Sequence, residues 1–223
     1  MLREDFKRGV VNLDKNFNQM FHFKNIAFYF DFISPYGYFA SLRIEELAAR
    51  HGRTVDWRPM LLGVAVLKVM GLKPLLETPL KGDYIRRDVA RHARRHGIAL
   101  GRDLDAPVGS PLPPARAFCW VKRHRPELQG AMAHALYHAY WAEGRDLSSP
   151  DAVASIALPA GLSRDEVAAA AASEEAATLL RASVAASIEA GIFGSPTTVV
   201  DGEPFWGVDR LVDVEAWLAS GGW

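Results

Sequence analysis

Ser34 has the clearest chemical setting in this sequence. It follows an apolar run of strand length at 26–33 (IAFYFDFI) and precedes Pro35. Serine is a favoured N-cap and proline a favoured first helical residue, so the pattern predicts a helix from Pro35 to Arg50. The first turn of such a helix presents unpaired N–H groups and a partial positive charge. Ser34 is therefore a candidate for holding an anionic group, although serine at this position is more often only an N-cap.

The other side chains with reactive chemistry are few. Cys119 is the only cysteine, which excludes an intrachain disulfide, a CxxC redox pair and a thiolate-rich metal site. A chain without disulfides fits a reducing compartment, so the expected location is the cytoplasm. His134 and His138 are four residues apart on a predicted helix, but no third ligand lies near them in the sequence. No metal site is predicted.

Composition and charge narrow the class of protein. The 223 residues are 49% hydrophobic and 23% charged, which is typical of a globular protein with a sizeable core. Lys and Arg together number 26, as do Asp and Glu, and this balance disfavours a nucleic-acid partner, which would favour a basic surface. The sequence has no run of about 18 uncharged apolar residues, so no membrane association is expected.

The elements that position Ser34 form a β-α-β unit. The run at 26–33, the helix after it and an alternating strand at 54–58 follow one another closely, so the two strands should be parallel. From 61 to 191 the patterning is helical, broken by a Pro- and Gly-rich loop at 101–114. The helices predicted in that segment are Tyr84–His96, Ala115–His124, Leu128–Trp141 and Arg164–Ala190.

Strands return near the end of the chain. Thr197–Asp201 is a predicted strand, Asp201-Gly202 is a hairpin turn signal, and Pro204–Trp206 begins the paired strand. Asp209 is predicted to cap a last helix, Arg210–Ala219. The predicted order of elements is therefore β-α-β, a helical segment, then β-β-α.

Three segments carry a resemblance to a known family. FYFDFISPYGYFA at 28–40, KGDYIRRD at 81–88 and GIFGSPTTVVDGEPFWGVDRL at 191–211 resemble the 2-hydroxychromene-2-carboxylate isomerases and the related kappa-class glutathione transferases. The resemblance implies an α/β, DsbA-like thioredoxin fold with a large all-helical insertion domain. The expected divisions are an N-terminal extension (1–25), a thioredoxin-like domain (26–60 and 192–223) and a helical insertion domain (61–191).

The resemblance also gives Ser34 a chemical role. Redox relatives of this fold carry the two cysteines of their reactive turn where this chain has Ser34 and Gly37, so disulfide exchange is excluded here. A bound glutathione would supply the missing sulfur as a cofactor, and the Ser34 hydroxyl would donate a hydrogen bond to its thiolate. Ser195 precedes Pro196, which the resemblance implies to be cis, and would bind the peptide of glutathione through its backbone.

The same resemblance assigns the two ends of glutathione. Lys81 matches a lysine that meets the glycyl carboxylate, while a solvated surface lysine is the competing interpretation. Gly207, Val208 and Asp209 match the site for the γ-glutamyl end, where the Asp209 carboxylate would pair with the α-amino group. Trp206 is expected to line the same wall.

The positions at which the family binds its electrophilic substrate match this sequence less well. Leu72 stands where the transferases have an asparagine, Leu76 and Glu77 stand where the isomerases have an Asn-Arg pair, and Ala106 or a neighbour replaces a tyrosine. These departures leave the identity of the substrate open.

Three functions follow from the resemblance. The first is a glutathione-dependent isomerase, acting as a homodimer on an aromatic conjugated carboxylate, as in the conversion of 2-hydroxychromene-2-carboxylate to trans-o-hydroxybenzylidenepyruvate. In that reaction the thiolate adds to a conjugated carbon, the former double bond rotates and the thiolate is expelled. The second is a kappa-type transferase that conjugates glutathione to electrophiles. The third is a thioredoxin-fold binding protein without catalysis.

Overall fold

One mixed four-stranded sheet lies at the centre of the structure. A computed structural model of the chain describes residues 25–223. The strands are β1 (Asn25–Phe30), β2 (Thr54–Pro59), β3 (Thr197–Val200) and β4 (Glu203–Trp206). They lie in the order β2-β1-β3-β4, with β1 and β2 parallel and the other two pairings antiparallel. A helix, α1 (Pro35–Arg50), joins the parallel pair, so the predicted β-α-β unit is confirmed.

Alternation along β1 builds the core on both faces of the sheet. Phe28 and Phe30 are fully buried on one face, where the Phe30 ring contacts the rings of Phe118 and Tyr137 at centroid distances of 5.2 and 5.8 Å. Tyr29 points to the opposite face and packs in a separate cluster of buried side chains. Because successive side chains of a strand point to opposite faces, this single strand holds helices on both sides of the sheet.

The segment between β2 and β3 is helical, as predicted. Its α-helices are α2 (Lys81–His96), α3 (Leu112–His124), α4 (Gln129–Tyr137), α5 (Pro150–Ala154), α6 (Arg164–Ala172) and α7 (Glu174–Glu189). Short π-helical turns lie at Gly63–Val69 and His138–Ala142. The α/β thioredoxin-like fold with a helical insertion is therefore confirmed.

Two predicted boundaries in the helical and strand regions are wrong. The single helix expected over Arg164–Ala190 is broken at Ser173, whose hydroxyl donates to the Ala170 carbonyl and accepts from the Ala176 N–H. The strand expected at 26–33 ends at Phe30. Beyond that point the backbone bonds to side chains of other segments instead of a neighbouring strand.

The C-terminal hairpin follows the prediction, but the cap after it does not. Asp201 and Gly202 both have positive φ, 53° and 93°, as a tight hairpin turn between twisted strands requires. The last helix is α8 (Leu211–Ser220), which follows a 3₁₀ turn at Val208–Arg210. The Asp209 side chain makes no capping hydrogen bond to either element, because the 3₁₀ turn places it inside the turn rather than before the helix.

Three further expectations concern membrane-spanning helices, the N-terminal extension and the division into domains. None of the helices within 25–223 is long and apolar enough to cross a membrane. The expected N-terminal extension lies outside the described residues except for Asn25, which begins β1. The division into a thioredoxin-like domain and an insertion domain at 60/61 and 191/192 stays a prediction.

The end of β1 is held by the helical segment through Asp31. The Asp31 carbonyl accepts a hydrogen bond from the Tyr137 hydroxyl at 3.0 Å, and the next carbonyl, of Phe32, accepts one from the Trp141 indole at 2.9 Å. The Asp31 carboxylate accepts the N–H of Leu62 at 2.7 Å and that of Ile33 at 3.2 Å. One residue therefore ties the sheet to the start of the helical segment and to α4.

The Asp31 carboxyl is almost completely buried, with 3% of the residue exposed. Burial raises its pKa from 3.8 to about 6, although the N–H groups of Leu62 and Ile33 act in the opposite direction. It forms no ion pair with a Lys, Arg or His among residues 25–223. The two N–H donors stabilise its charge only in part, because a carboxylate loses much of its hydration energy when buried.

We expect the stability of the protein to depend on pH through the Asp31 carboxyl. Between about pH 4 and about 6 the folded state keeps a proton on Asp31 that the unfolded chain has released, so its contribution to stability falls as the pH rises. Relative to Asp31→Asn, the free energy of unfolding of the wild-type protein should fall by up to about 3 kcal/mol across this window. Urea unfolding at closely spaced pH values measures the difference.

Asp213→Asn is the matched control, because Asp213 is an exposed carboxylate paired with Arg210. The difference in free energy of unfolding between the wild-type protein and Asp213→Asn should show no comparable fall across this window. A difference between the wild-type protein and Asp31→Asn that stays constant from pH 4 to 7 would contradict the prediction, because it would show that Asp31 has the same pKa in the folded and unfolded states.

Candidate active site

Ser34 lies where the sequence placed it, at the N-terminus of α1. It is buried, its backbone is extended, and its Oγ accepts the N–H of Gly37 at 3.0 Å. The hydroxyl donates its proton to the carbonyl of Ser195 at 2.9 Å. Ser34 is thus an N-cap whose hydroxyl also faces the second predicted site residue. The two interpretations of this serine, cap and functional group, are compatible because one oxygen accepts and donates at once.

Ser195 forms the other wall of this contact. The Ser195–Pro196 peptide bond is cis, as the resemblance implied. The Ser195 Oγ accepts the N–H of Asp31 at 2.9 Å, so this residue holds Ser34 with its backbone and Asp31 with its side chain. The turn before it is closed by Thr197, whose hydroxyl donates to the Gly194 carbonyl at 2.7 Å.

Tyr137 lies beneath this contact. A Cβ added to Gly37 would come within 2.5 Å of the Tyr137 hydroxyl oxygen and 3.0 Å of the Ser195 Oγ. Glycine at position 37 therefore allows the first turn of α1 to pack directly on these two hydroxyls. Burial raises the pKa of Tyr137 well above its ordinary value, so its hydroxyl stays a hydrogen-bond donor at neutral pH.

The segment from Trp206 to Asp209 continues from the same wall. Trp206 pairs with Thr197 in the hairpin, and the N–H of Gly207 donates to the Pro196 carbonyl at 3.0 Å. Gly207 has a φ of 115°, which favours glycine. Val208 is buried beside it, while the Asp209 side chain is 76% exposed. The Asp209 carboxylate bonds to no helix amide and lies 3.8 Å from the Arg210 Nε.

Lys81 lies on a different element from the other site residues. It is the exposed first residue of α2 and has no carboxylate within ion-pair distance in the described part of the chain. It makes no hydrogen bond to Ser34, Ser195 or Asp209. The link between α2 and the Ser34 turn is instead Tyr36, whose hydroxyl donates to the Asp88 carboxylate at 2.6 Å.

The residue before Lys81 has an unusual conformation. Leu80 has a positive φ of 68°, which is rare for a residue other than glycine, and is almost fully exposed. The preceding segment, which includes Leu72, Leu76 and Glu77, forms a loop with a short 3₁₀ turn and also exposes apolar side chains. A strained exposed leucine beside a candidate ligand-binding lysine is a feature that clusters at functional sites.

Two residues at this site had no place in the sequence predictions. Asp31 had a visible signal, because a single carboxylate inside the apolar run at 26–33 is unusual in a buried strand. Tyr137 is more than 100 residues from Ser34 in the sequence and carries no motif, so only the packing of α4 against the end of β1 brings it to the site.

Each histidine of the pair lies beside a carboxylate. His134 bonds to the Glu45 carboxylate at 2.9 Å, and His138 lies 3.3 Å from that of Glu143. Across residues 25–223, no three His, Cys, Asp or Glu side chains are grouped as metal ligands.

Relatives with known names support the resemblance drawn from the motifs. The chain is 28% identical over 196 residues to a 2-hydroxychromene-2-carboxylate isomerase of Sphingobium xenophagum, covering 87% of this chain and 98% of that one. It is 26% identical over 208 residues to glutathione S-transferase kappa 2 of Caenorhabditis elegans, covering 88% and 92%. These enzymes belong to the two classes that the sequence motifs resemble.

Structure comparison and a family model agree with these relatives. A solved structure of a 2-hydroxychromene-2-carboxylate isomerase superposes with a TM-score of 0.74 at 26% identity, covering 88% of this chain and 95% of that one. The family model described as a DSBA-like thioredoxin domain matches residues 25–219, which are nearly all of the described residues. The chain therefore belongs to the DsbA-like thioredoxin family.

Proposed function

We propose that this protein is a glutathione-dependent isomerase that acts on an aromatic conjugated carboxylate. The observation that carries the proposal is the contact between Ser34 and Ser195: a hydroxyl at the N-terminus of a 16-residue helix faces the backbone of a cis peptide bond. Ser34 stands where redox members of the fold have the first of their two reactive cysteines, and Gly37 stands where they have the second. In the proposed reaction the sulfur therefore comes from the ligand.

Charged groups on three different elements fit a tripeptide with one thiolate, one ammonium group and free carboxylates. The N-terminus of α1 favours the thiolate. The Asp209 carboxylate, exposed and not used as a helix cap, is available to an ammonium group. The Lys81 ammonium, without a carboxylate partner in residues 25–223, is available to the glycyl carboxylate. Trp206, Gly207 and Val208 would form the wall between Ser195 and Asp209.

The chain's own part in the reaction is to bind the charged groups of glutathione and to stabilise its thiolate. Glutathione, when bound, supplies a thiolate that adds to and is then expelled from a conjugated carbon, and is returned unchanged. With glutathione bound, the Ser34 hydroxyl would exchange its present acceptor, the Ser195 carbonyl, for the sulfur. That carbonyl would then be free to accept a backbone N–H of the ligand. The Gly37 N–H would stay bound to the Ser34 oxygen and keep the hydroxyl proton directed at the sulfur.

A kappa-type transferase is the second candidate, favoured by the kappa-class relative. It would use the same thiolate site, so the two candidates differ only in whether the adduct is released. Homodimer formation and a cytoplasmic location stay part of the proposal. They rest on the family resemblance and on the single cysteine.

Calorimetric titration with reduced glutathione tests the shared binding site. We expect saturable binding to the wild-type protein. Asp209→Asn and Lys81→Ala should each weaken it by about tenfold or more, because each removes a charge-assisted hydrogen bond. Asp213→Asn and Lys68→Ala are matched controls on exposed side chains of the same types, and should bind like the wild-type protein. No binding at millimolar glutathione would leave the third function, a binding protein.

Product analysis separates the two enzymes and tests Ser34. With 2-hydroxychromene-2-carboxylate and glutathione, an isomerase returns trans-o-hydroxybenzylidenepyruvate and leaves the glutathione concentration unchanged, whereas a transferase consumes glutathione. We expect isomerisation, with Ser34→Ala lowering kcat by about a hundredfold or more and changing glutathione affinity far less. Equal losses in kcat and in affinity would contradict the role given to Ser34.

A further inference from the structure

The outer edge of the cis-proline wall carries two exposed aromatic rings. Phe193 and Trp206 are 44% and 56% exposed, and their rings meet edge to face at a centroid distance of 4.9 Å. Because the two rings touch, they form a contiguous apolar surface, which is more informative about binding than a single exposed side chain. We call this pair the aromatic ledge.

The ledge is rigidly attached to the candidate active site. The Trp206 indole lies flat on Gly194, where an added Cβ would come within 2.9 Å of its Cε2 and 3.0 Å of its Cδ1. Gly194 is also held by Thr197, and the residue after it is Ser195, whose carbonyl binds the Ser34 hydroxyl. Phe193 and the Ser34 contact are therefore carried by one short segment, 193–197, and Trp206 packs on that segment from β4.

The ledge also offers a polar group. The Trp206 indole N–H donates to no acceptor in the part of the chain that the structure describes. An aromatic N–H beside two ring faces suits a ligand that is flat, apolar and edged with an oxygen acceptor. Glutathione has no aromatic ring to offer, so the ledge fits the second reactant better than the first.

We propose that the aromatic ledge, Phe193 with the outward face of Trp206, binds the aromatic ring of the substrate and presents its conjugated side chain to the sulfur at Ser34. The substrate class is a phenol or aryl ring that bears an unsaturated carboxylate, with the indole N–H bound to one of its oxygens. This inference rests on the proposed function for the identity of the reaction. The binding of the ring itself does not depend on glutathione.

A saturated acid that cannot react with a thiol tests ring binding separately. The probe is 3-(2-hydroxyphenyl)propionate, titrated by calorimetry into the protein with and without glutathione. Phe193→Leu keeps an apolar side chain but removes the ring, and should weaken probe binding by about three- to tenfold and raise the KM of the substrate similarly. It should leave glutathione affinity unchanged. The control is Trp223→Leu, which removes an exposed ring from a comparable edge-to-face pair with Trp217.

The outcomes distinguish this inference from the proposed function. Probe binding that depends on Phe193 in a protein with no affinity for glutathione would support the ledge and overturn the isomerase. Glutathione binding together with a probe affinity unaffected by Phe193→Leu would overturn the ledge alone. A loss of glutathione affinity in Phe193→Leu would show that the ledge binds the cofactor. Dissociation of a dimer in Phe193→Leu, seen by sedimentation, would show that the ledge is part of a subunit interface. Both results would contradict the proposal.

Discussion

The geometry of the candidate site depends on how the backbone is held at Asp31, where β1 ends. Its N–H, its carbonyl and both carboxylate oxygens are bound, and their partners come from β3's preceding turn, from α4, from the start of the helical segment and from Ile33. No neighbouring strand continues past Phe30 on this path. The Asp31 carbonyl also accepts the Ser34 N–H at 3.0 Å. Without the Ser195 hydroxyl, the buried N–H of Asp31 would be unsatisfied, at a cost of about 1–3 kcal/mol.

The helical segment is bonded directly to the end of the central strand of the thioredoxin-like fold. Tyr137 and Trp141 reach the end of β1 from the same helical stretch and donate to consecutive carbonyls, those of Asp31 and Phe32. Ser34 follows two residues later, so its position is set by the helical segment as much as by the sheet. A rigid first turn of α1 is what a preorganised anion site needs, since donors that are already in place lose little freedom on binding.

The local elements of the fold could be predicted because their signals are local. Ser34-Pro35 specified the start of α1, and Asp201-Gly202 specified the hairpin, each through the backbone conformations that these residues favour. Helix propensity summed over the alanine-rich stretch outweighs one capping serine, so the sequence does not predict the break at Ser173. An aspartate just before a helix is typical of an N-cap, and the sequence does not distinguish that position from one inside a 3₁₀ turn, where Asp209 lies.

The candidate site could be predicted only in part. Ser34 and Ser195 were paired through family resemblance, and the structure brings them into contact. Tyr137 lies outside the three resembling segments and could not be found in this way. Asp88 and Phe193 lie within two of them, but the resemblance assigns them no role. The bonds from Tyr137 to Asp31 and from Tyr36 to Asp88 join segments far apart in the chain, and no spacing in the sequence records such contacts.

The proposed reaction depends on stabilisation of the thiolate of a bound glutathione by the Ser34 turn. Ultraviolet absorbance of the thiolate, followed across pH with the protein saturated by glutathione, measures the pKa of the bound thiol directly. Cys119 does not interfere near neutral pH, because burial raises its own pKa to about 12. We expect the bound thiol to ionise well below about 8.5, the value of a free thiol, and Ser34→Ala to raise its pKa by about one unit or more. A bound thiol that titrates like free glutathione in both proteins would contradict this expectation.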